Sequence, residues 1–144
     1  MATRLAFENS CEIGVYAKLT NKFCLVAEGG SESFYNVFES ELSPHMPVIP
    51  MSIGQMKIVG RVTVANSRGI LVPEMITDME MQVMRELLPD NVLIRRIDER
   101  LSALGNVIAC NDSVALIHPE VEAATEEVIQ DVLGVETYKT TIAG

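Results

Sequence analysis

A distance of 45 residues recurs along this chain, and it constrains the fold more than any single motif. The stretches "VGRVTVANS" (59–67) and "LGNVIACND" (104–112) each carry a glycine followed six residues later by an asparagine. Gly60 and Gly105 stand 45 apart, as do Asn66 and Asn111. One period earlier is Asn21, with Gly14 one residue further ahead of it than in the later copies, which reads as a one-residue insertion in the first copy. The helix-like parts keep the same step in Phe38, Val83 and Val128 and in Leu42, Leu87 and Val132, with Pro44, Pro89 and Gly134 as breakers. A fixed period of ~20–50 residues marks a repeat architecture. The chain therefore reads as three copies, 1–45, 46–90 and 91–135, plus the start of a fourth at 136–144.

The second copy shows what one unit contains. In "GRVTVANSRGILV", Val62 and Val64 alternate with polar neighbours before Asn66-Ser67-Arg68-Gly69, and Ile70-Leu71-Val72 resume the strand. That is a hairpin pattern, because Asn and Gly take the backbone conformations a tight turn demands. Pro73 is expected to stop the second strand. Thr77 with Glu80 three residues on is a capping box, and Met79, Val83 and Leu87 follow at helical spacing. The third copy repeats the order, with Pro119 ahead of the helix and Gly134 at its expected C-terminal cap. Each copy opens with an extended segment, such as "NVLIRR" at 91–96 and "VETYKT" at 135–140. The expected fold class is thus α/β, built of strand-turn-strand-helix units. A unit this small cannot bury its apolar face alone, so copies must stack or close into a ring. The strand opening a fourth copy is expected to stand without a partner, which predicts poor solubility or oligomers for residues 1–144 alone.

Composition narrows the function classes. With 48% hydrophobic residues over 144, a core is affordable and disorder is excluded. No apolar run approaches the ~18–20 residues of a membrane span, and "MATRLAFENSCEIGV" lacks the apolar stretch of a signal peptide, so a soluble intracellular protein is expected, with no membrane partner. Cys11, Cys24 and Cys110 are three and lack C-x-x-C spacing, so they are expected as reduced thiols in or near the core, with no metal site.

The net charge of −9 makes nucleic acid a poor principal partner and a basic protein a better one. Its acidic residues gather toward the helices (Glu32, Glu39, Glu41, Glu120, Glu122, Glu126, Glu127, Asp131). Lys57, Arg61, Arg68, Arg95, Arg96 and Arg100 fall in strands and loops, so one locally positive surface is expected. Within "RRIDERLSALGN" the alternation of Arg95, Arg96 and Arg100 with Asp98 and Glu99 describes a salt-bridged solvated face better than an RNA site. Its lack of aromatic interleaving points the same way.

Several longer stretches carry a resemblance. "FENSCEIGVYAKLTNKFCLVAEGGSESFY", "GILVPEMITDMEMQ", "RRIDERLSALGNVIACND" and "ALIHPEVE" resemble the eukaryotic translation initiation factor 6 family of ribosome anti-association factors, along the whole chain. The resemblance implies a pentein-type propeller, five α/β repeats in pseudo-fivefold arrangement, of which three and the start of a fourth are present here. Five copies would need about 225 residues. It implies a monomer when full length, no catalytic activity and no cofactor.

The implied partner is the intersubunit face of the large (60S) subunit, chiefly a small ribosomal protein near the sarcin-ricin loop, with minor RNA contact. The implied roles are blocking premature subunit joining and assisting large-subunit biogenesis and nuclear export, in the cytoplasm and the nucleus with its nucleolus. Val15, Arg61, Gly105 and Asn106 are the expected ribosome-binding residues, and Asn106 as a plain turn residue is the competing reading. The recurrent Asn21, Asn66 and Asn111 are expected to serve the hairpin turns. The same fold houses guanidine-modifying hydrolases with a Cys nucleophile. For that alternative Cys110 and His118 are the candidate pair, with His45 the other histidine.

Overall fold

The computed structural model describes residues 13–28, 32–99 and 103–140; Cys11, Arg100, the side chain of Glu32 and the end of the expected fourth copy, 141–144, lie outside them. The elements run as a single helical turn, two short strands, a longer helix and a strand. The first set is α1 (Ile13–Tyr16), β1 (Ala17–Leu19), β2 (Cys24–Ala27), α2 (Glu32–Leu42) and β3 (Val48–Met51). The second is α3 (Val59–Val62), β4 (Val64–Ala65), β5 (Gly69–Pro73), α4 (Asp78–Leu87) and β6 (Leu93–Ile97). The third is α5 (Leu104–Val107), β7 (Ile108–Cys110), β8 (Val114–Ile117), α6 (Ala123–Leu133) and β9 (Glu136–Lys139). Each set makes one three-stranded sheet, an antiparallel hairpin with a parallel third strand on its outer side.

The turns show why the hairpins form where they do. Asn66 Oδ1 accepts from the N–H groups of Arg68 and Gly69 at 2.9 and 3.2 Å, and Asn111 Oδ1 from Ser113 and Val114 at 2.7 and 2.8 Å. An Asx side chain reaching two and three residues onward replaces main-chain partners that a tight turn cannot supply. In the first hairpin Thr20, not Asn21, has this role: its Oγ1 accepts from Lys22 and Phe23, both at 3.1 Å. The expected insertion before Asn21 is therefore absent. Six residues separate Gly14 from Thr20, as they separate Gly60 from Asn66 and Gly105 from Asn111, and the extra residue lies between Thr20 and Gly60. A hydroxyl does the same work as an amide oxygen, so the letter changes while the place does not.

Helix α4 starts as its letters require. Thr77 accepts from the Glu80 N–H at 3.1 Å and the Glu80 carboxylate accepts from the Thr77 N–H at 2.9 Å, completing the capping box. Its buried face is not the expected one. Met81, Met84 and Leu88 go into the core, whereas Met79 and Leu87 are 79% and 50% exposed, because flanking sheets, and not spacing alone, choose which stripe is covered. β5 ends at Pro73, where the proline is expected to stop the strand. α6 ends at Gly134 in the left-handed conformation (φ 64°), its N–H bonded to the Gln130 carbonyl, as the glycine predicts.

The segment expected to stand open is paired. β9 lies parallel to β8 with Val114 opposite Glu136 and Ile117 opposite Lys139, since a helical crossover returns the chain beside the strand it left. Two apolar clusters hold the sheets together. Ile70 and Val72 of β5 enter one, with Phe23, Leu25, Phe34 and Met84; Leu71 enters the other, with Leu104, Ile117, Ile129 and Leu133. β5 is thus buried on both faces, which is why "GILVP" lacks polar alternation.

Candidate functional site

The glycines of the 45-residue period occupy one end of the hairpins, where α1 lies against α3 and α3 against α5. A methyl group on Gly60 would strike the carbonyl oxygens of Gly14 and Ala17, and one on Gly105 those of Gly60 and Arg61. Main chain therefore sits directly on main chain at each of these junctions, an approach only glycine permits. The residues following the three glycines, Val15, Arg61 and Asn106, are carried side by side as a consequence. Arg61 and Asn106 are exposed, and Val15 and Gly105 are half-buried. The structure thus brings all four expected site residues to one end. Asn106 uses its N–H in a turn bond to the Ala103 carbonyl at 2.9 Å, with its side chain on the exposed surface. A cavity of about 300 Å³ opens beside Gly105 and Asn106, bounded by Leu116, His118 and Thr140.

The loops that deliver α3 and α5 are tied by carboxylates whose role the sequence reading missed. Glu80 accepts from Ser52 Oγ at 2.5 Å and from the N–H groups of Gly54 and Gln55 at 2.7 and 3.1 Å, in addition to capping α4. Gly54 and Gln55 both have positive φ, 58° and 65°, so the carboxylate holds a backbone conformation that Gln adopts reluctantly. Burial alone would push the Glu80 carboxyl up, but hydrogen bonds from Ser52, Thr77, Gln55 and Gly54 outweigh it and hold the group below the usual glutamate range. The third set reverses the direction: Glu99, buried in the loop before α5, accepts from the Glu122 N–H at 2.8 Å at the start of α6. The capping box was the visible signal for Glu80; "RRIDER" held none for Glu99.

The other end of the hairpins is knitted by polar side chains. Asn66 Nδ2 donates to the carbonyls of Leu133 at 2.8 Å and Asn111 at 3.2 Å. Asp112 accepts from the Ser67 N–H at 2.8 Å and from Asn21 Nδ2 at 3.0 Å. Hydrogen bonds from Ser67, together with Asn21 and the nearby Arg68, keep its carboxyl below the usual range. Arg68 donates to the carbonyls of Asp112, Leu133 and Gly134. Asn21, Asn66, Asn111 and Asp112 line a cavity of about 370 Å³, with Cys110 also in its wall.

Among the described residues the expected positive surface is divided. Arg61 lies at the short-helix end, Arg68 at the turn end, and Arg95 and Arg96 on the outer strand β6. Of the described residues in "RRIDER", Arg96 reaches Asp78 of α4 at 3.2 Å and Glu99 is buried.

The hydrolase pair is not assembled. Cys110 lies opposite Ala115, whereas His118 follows Ile117, the partner of Ile108, which separates the two by three residues of hairpin or roughly 10 Å. Cys110 Sγ donates to the Ala65 carbonyl at 3.3 Å, and burial, partly offset by Lys18, pushes its thiol up, the wrong direction for a nucleophile. His118 Nδ1 instead accepts from the Glu120 N–H at 3.0 Å. Cys24 is buried and its thiol is pushed up to about 12 by burial.

The eIF-6 family profile matches residues 2–144. The chain belongs to the eIF-6 family. It is 60% identical over 144 residues to eukaryotic translation initiation factor 6-2 of Arabidopsis thaliana, covering all of this chain and 59% of that protein. It is 58% identical over 144 residues to eukaryotic translation initiation factor 6 of Saccharomyces cerevisiae, again all of this chain and 59% of the relative. The Toxoplasma gondii protein of the same name is 58% identical over 142 residues, 99% of this chain and 54% of its own length. The chain spans between half and three fifths of the length of these eIF-6 relatives. Among its described residues no helix is long and apolar enough to cross a membrane.

Proposed function

We propose that this chain is part of a non-catalytic translation initiation factor that binds the intersubunit face of the large (60S) ribosomal subunit. There it prevents premature joining of the small subunit and serves in large-subunit biogenesis and nuclear export, in the cytoplasm and the nucleus. The observation that carries the reading is 58–60% identity along the entire chain to relatives named eukaryotic translation initiation factor 6. The short-helix end supplies a suitable contact, with exposed Arg61 and Asn106 beside Val15 on turns locked by glycine contacts. A net charge of −9 favours a basic ribosomal protein as principal partner and leaves RNA contact minor.

The same reading includes a monomeric five-unit pentein-type ring. Leu116 and Tyr138, opposite one another on β8 and β9, are 42% and 52% exposed, whereas Leu71, 45 residues before Leu116, is buried in the cluster that includes α6. A helix from a further unit would cover that face as α6 covers Leu71. The test is sedimentation of the full-length protein with purified large subunits, with subunit joining measured as protein is added. Co-migration and reduced joining are expected; protein remaining at the top of the gradient with saturating subunits ends the reading.

A further inference from the structure

The arginines left over from "RRIDER" stand on a second surface, remote from the short-helix end. Among the described residues β6 is the outer strand of its sheet and pairs only with β5. Leu93 donates to the Arg68 carbonyl, toward β5, at 2.9 Å. Main-chain groups of a strand in a parallel pair alternate sides, so the N–H and C=O of Ile94 and Arg96 point away from the sheet. Between this free edge and α4 runs an open groove of about 590 Å³, lined by Arg85, Arg95, Arg96 and Gln82. Asp78 is the only carboxylate lining it among the described residues and is taken by Arg96, at 3.2 Å. Among the described residues neither Arg85 nor Arg95 has a carboxylate partner, and both are exposed. Arg96 is held in place by a second bond to the Ile76 carbonyl at 3.1 Å, and its Nε is buried with no acceptor.

We propose that the β6 edge and this groove bind an extended acidic peptide segment of a partner protein by strand addition. The peptide's main chain pairs with Ile94 and Arg96, and its carboxylates meet Arg85 and Arg95. Main-chain pairing supplies affinity in such sites and side-chain pockets supply selectivity. The comparison with the other two outer strands singles β6 out. β3 carries Pro50, which removes a main-chain donor, and β9 reads "ETYK" with a single cation, whereas β6 carries two arginines, Arg96 on the α4 side and Arg95 on the other, that line the groove with Arg85. Charge complementarity decides the occupant: a protein of net charge −9 that gathers three of its eleven basic residues in one groove selects an anion there. The free strand edge selects a peptide over a nucleic acid, which has no amides to pair with it.

The proposal does not depend on ribosome binding. It is tested with the full-length protein and a fluorescent peptide of alternating Glu and Val, about ten residues long, read by anisotropy. Three results are expected. The peptide binds saturably and more weakly as salt rises; Arg85→Ala with Arg95→Ala weakens it by about tenfold or more without lowering the melting temperature or altering co-sedimentation with large subunits; and a peptide N-methylated at alternate amides, with its charges intact, fails to bind. Equal binding of the methylated peptide would remove strand addition, and indifference to the arginine variant would remove the groove. Preferential binding of a uridylate oligonucleotide, lost in the same variant, would make the site one for RNA and overturn the proposal.

Discussion

The two ends of the hairpins both repeat from unit to unit, but for different physical reasons. At the short-helix end the repeated residue is glycine, demanded by main chain packed on main chain, and the next residue is free to be Val15, Arg61 or Asn106. At the turn end the repeated place is Thr20, Asn66 and Asn111, and the side chain itself does the repeated work of closing the turn. Sameness at both ends is architectural. The side chains of the variable residues beside the glycines build no turn, and those of Arg61 and Asn106 are exposed, which is where a binding surface can differ from unit to unit.

The largest test of this contrast is Gly60→Ala. The added methyl meets carbonyl oxygens that cannot swing aside, so a loss of about 3 kcal/mol is expected by denaturant unfolding. Gly14 has nothing within 4 Å among the described residues. If further units close a ring, Gly14→Ala in the full-length protein costs as much as Gly60→Ala; a neutral Gly14→Ala there breaks the ring proposal.

Next in size is Asn66→Ala, which removes two accepted turn bonds and the donations to the Leu133 and Asn111 carbonyls, for about 2 kcal/mol. Asn111 is exposed, and Asn111→Ala is expected to cost about 1 kcal/mol. Equal losses at the two would show that the turn alone, and not the stitching between units, sets the cost.

Glu80→Gln is smaller, about 1 kcal/mol at neutral pH from the weakened cap and loop. Because the folded carboxyl lies below its ordinary value, its stabilisation is present above the usual glutamate range and is lost as pH falls through the lower folded value. Melting temperatures against pH should therefore converge for wild type and variant on the acid side; curves that stay parallel would show that the carboxylate's charge is irrelevant.

The smallest effect on stability is Asn106→Ser, within about 0.5 kcal/mol, since the side chain is exposed and makes no turn bond. Co-sedimentation with large subunits should nevertheless weaken. Matched losses of melting temperature and binding would instead return Asn106 to the architectural class.

Much of each unit was legible because the controlling interactions are short-range. The Thr77–Glu80 box, the Gly134 cap and the Asn66 and Asn111 turns each involve residues two to four apart, and they form as their letters require. Residues 60 and 105 had to be glycine for a reason their spacing could show but not explain. Tertiary structure alone decided what depends on a partner distant in sequence. It chose Met81, Met84 and Leu88 over Met79 and Leu87 as the covered stripe of α4, because both stripes are apolar and the neighbouring sheets settle which is desolvated. It paired β9 with β8 and gave Thr20 the place that counting had assigned to Asn21. It turned Glu99 inward to the Glu122 N–H and sent Arg96 to Asp78, where the sequence suggested a local salt-bridged run. Local hydrogen bonds are specified by neighbours along the chain, whereas burial and long-range charge pairing are specified by which surfaces the packed units bring together.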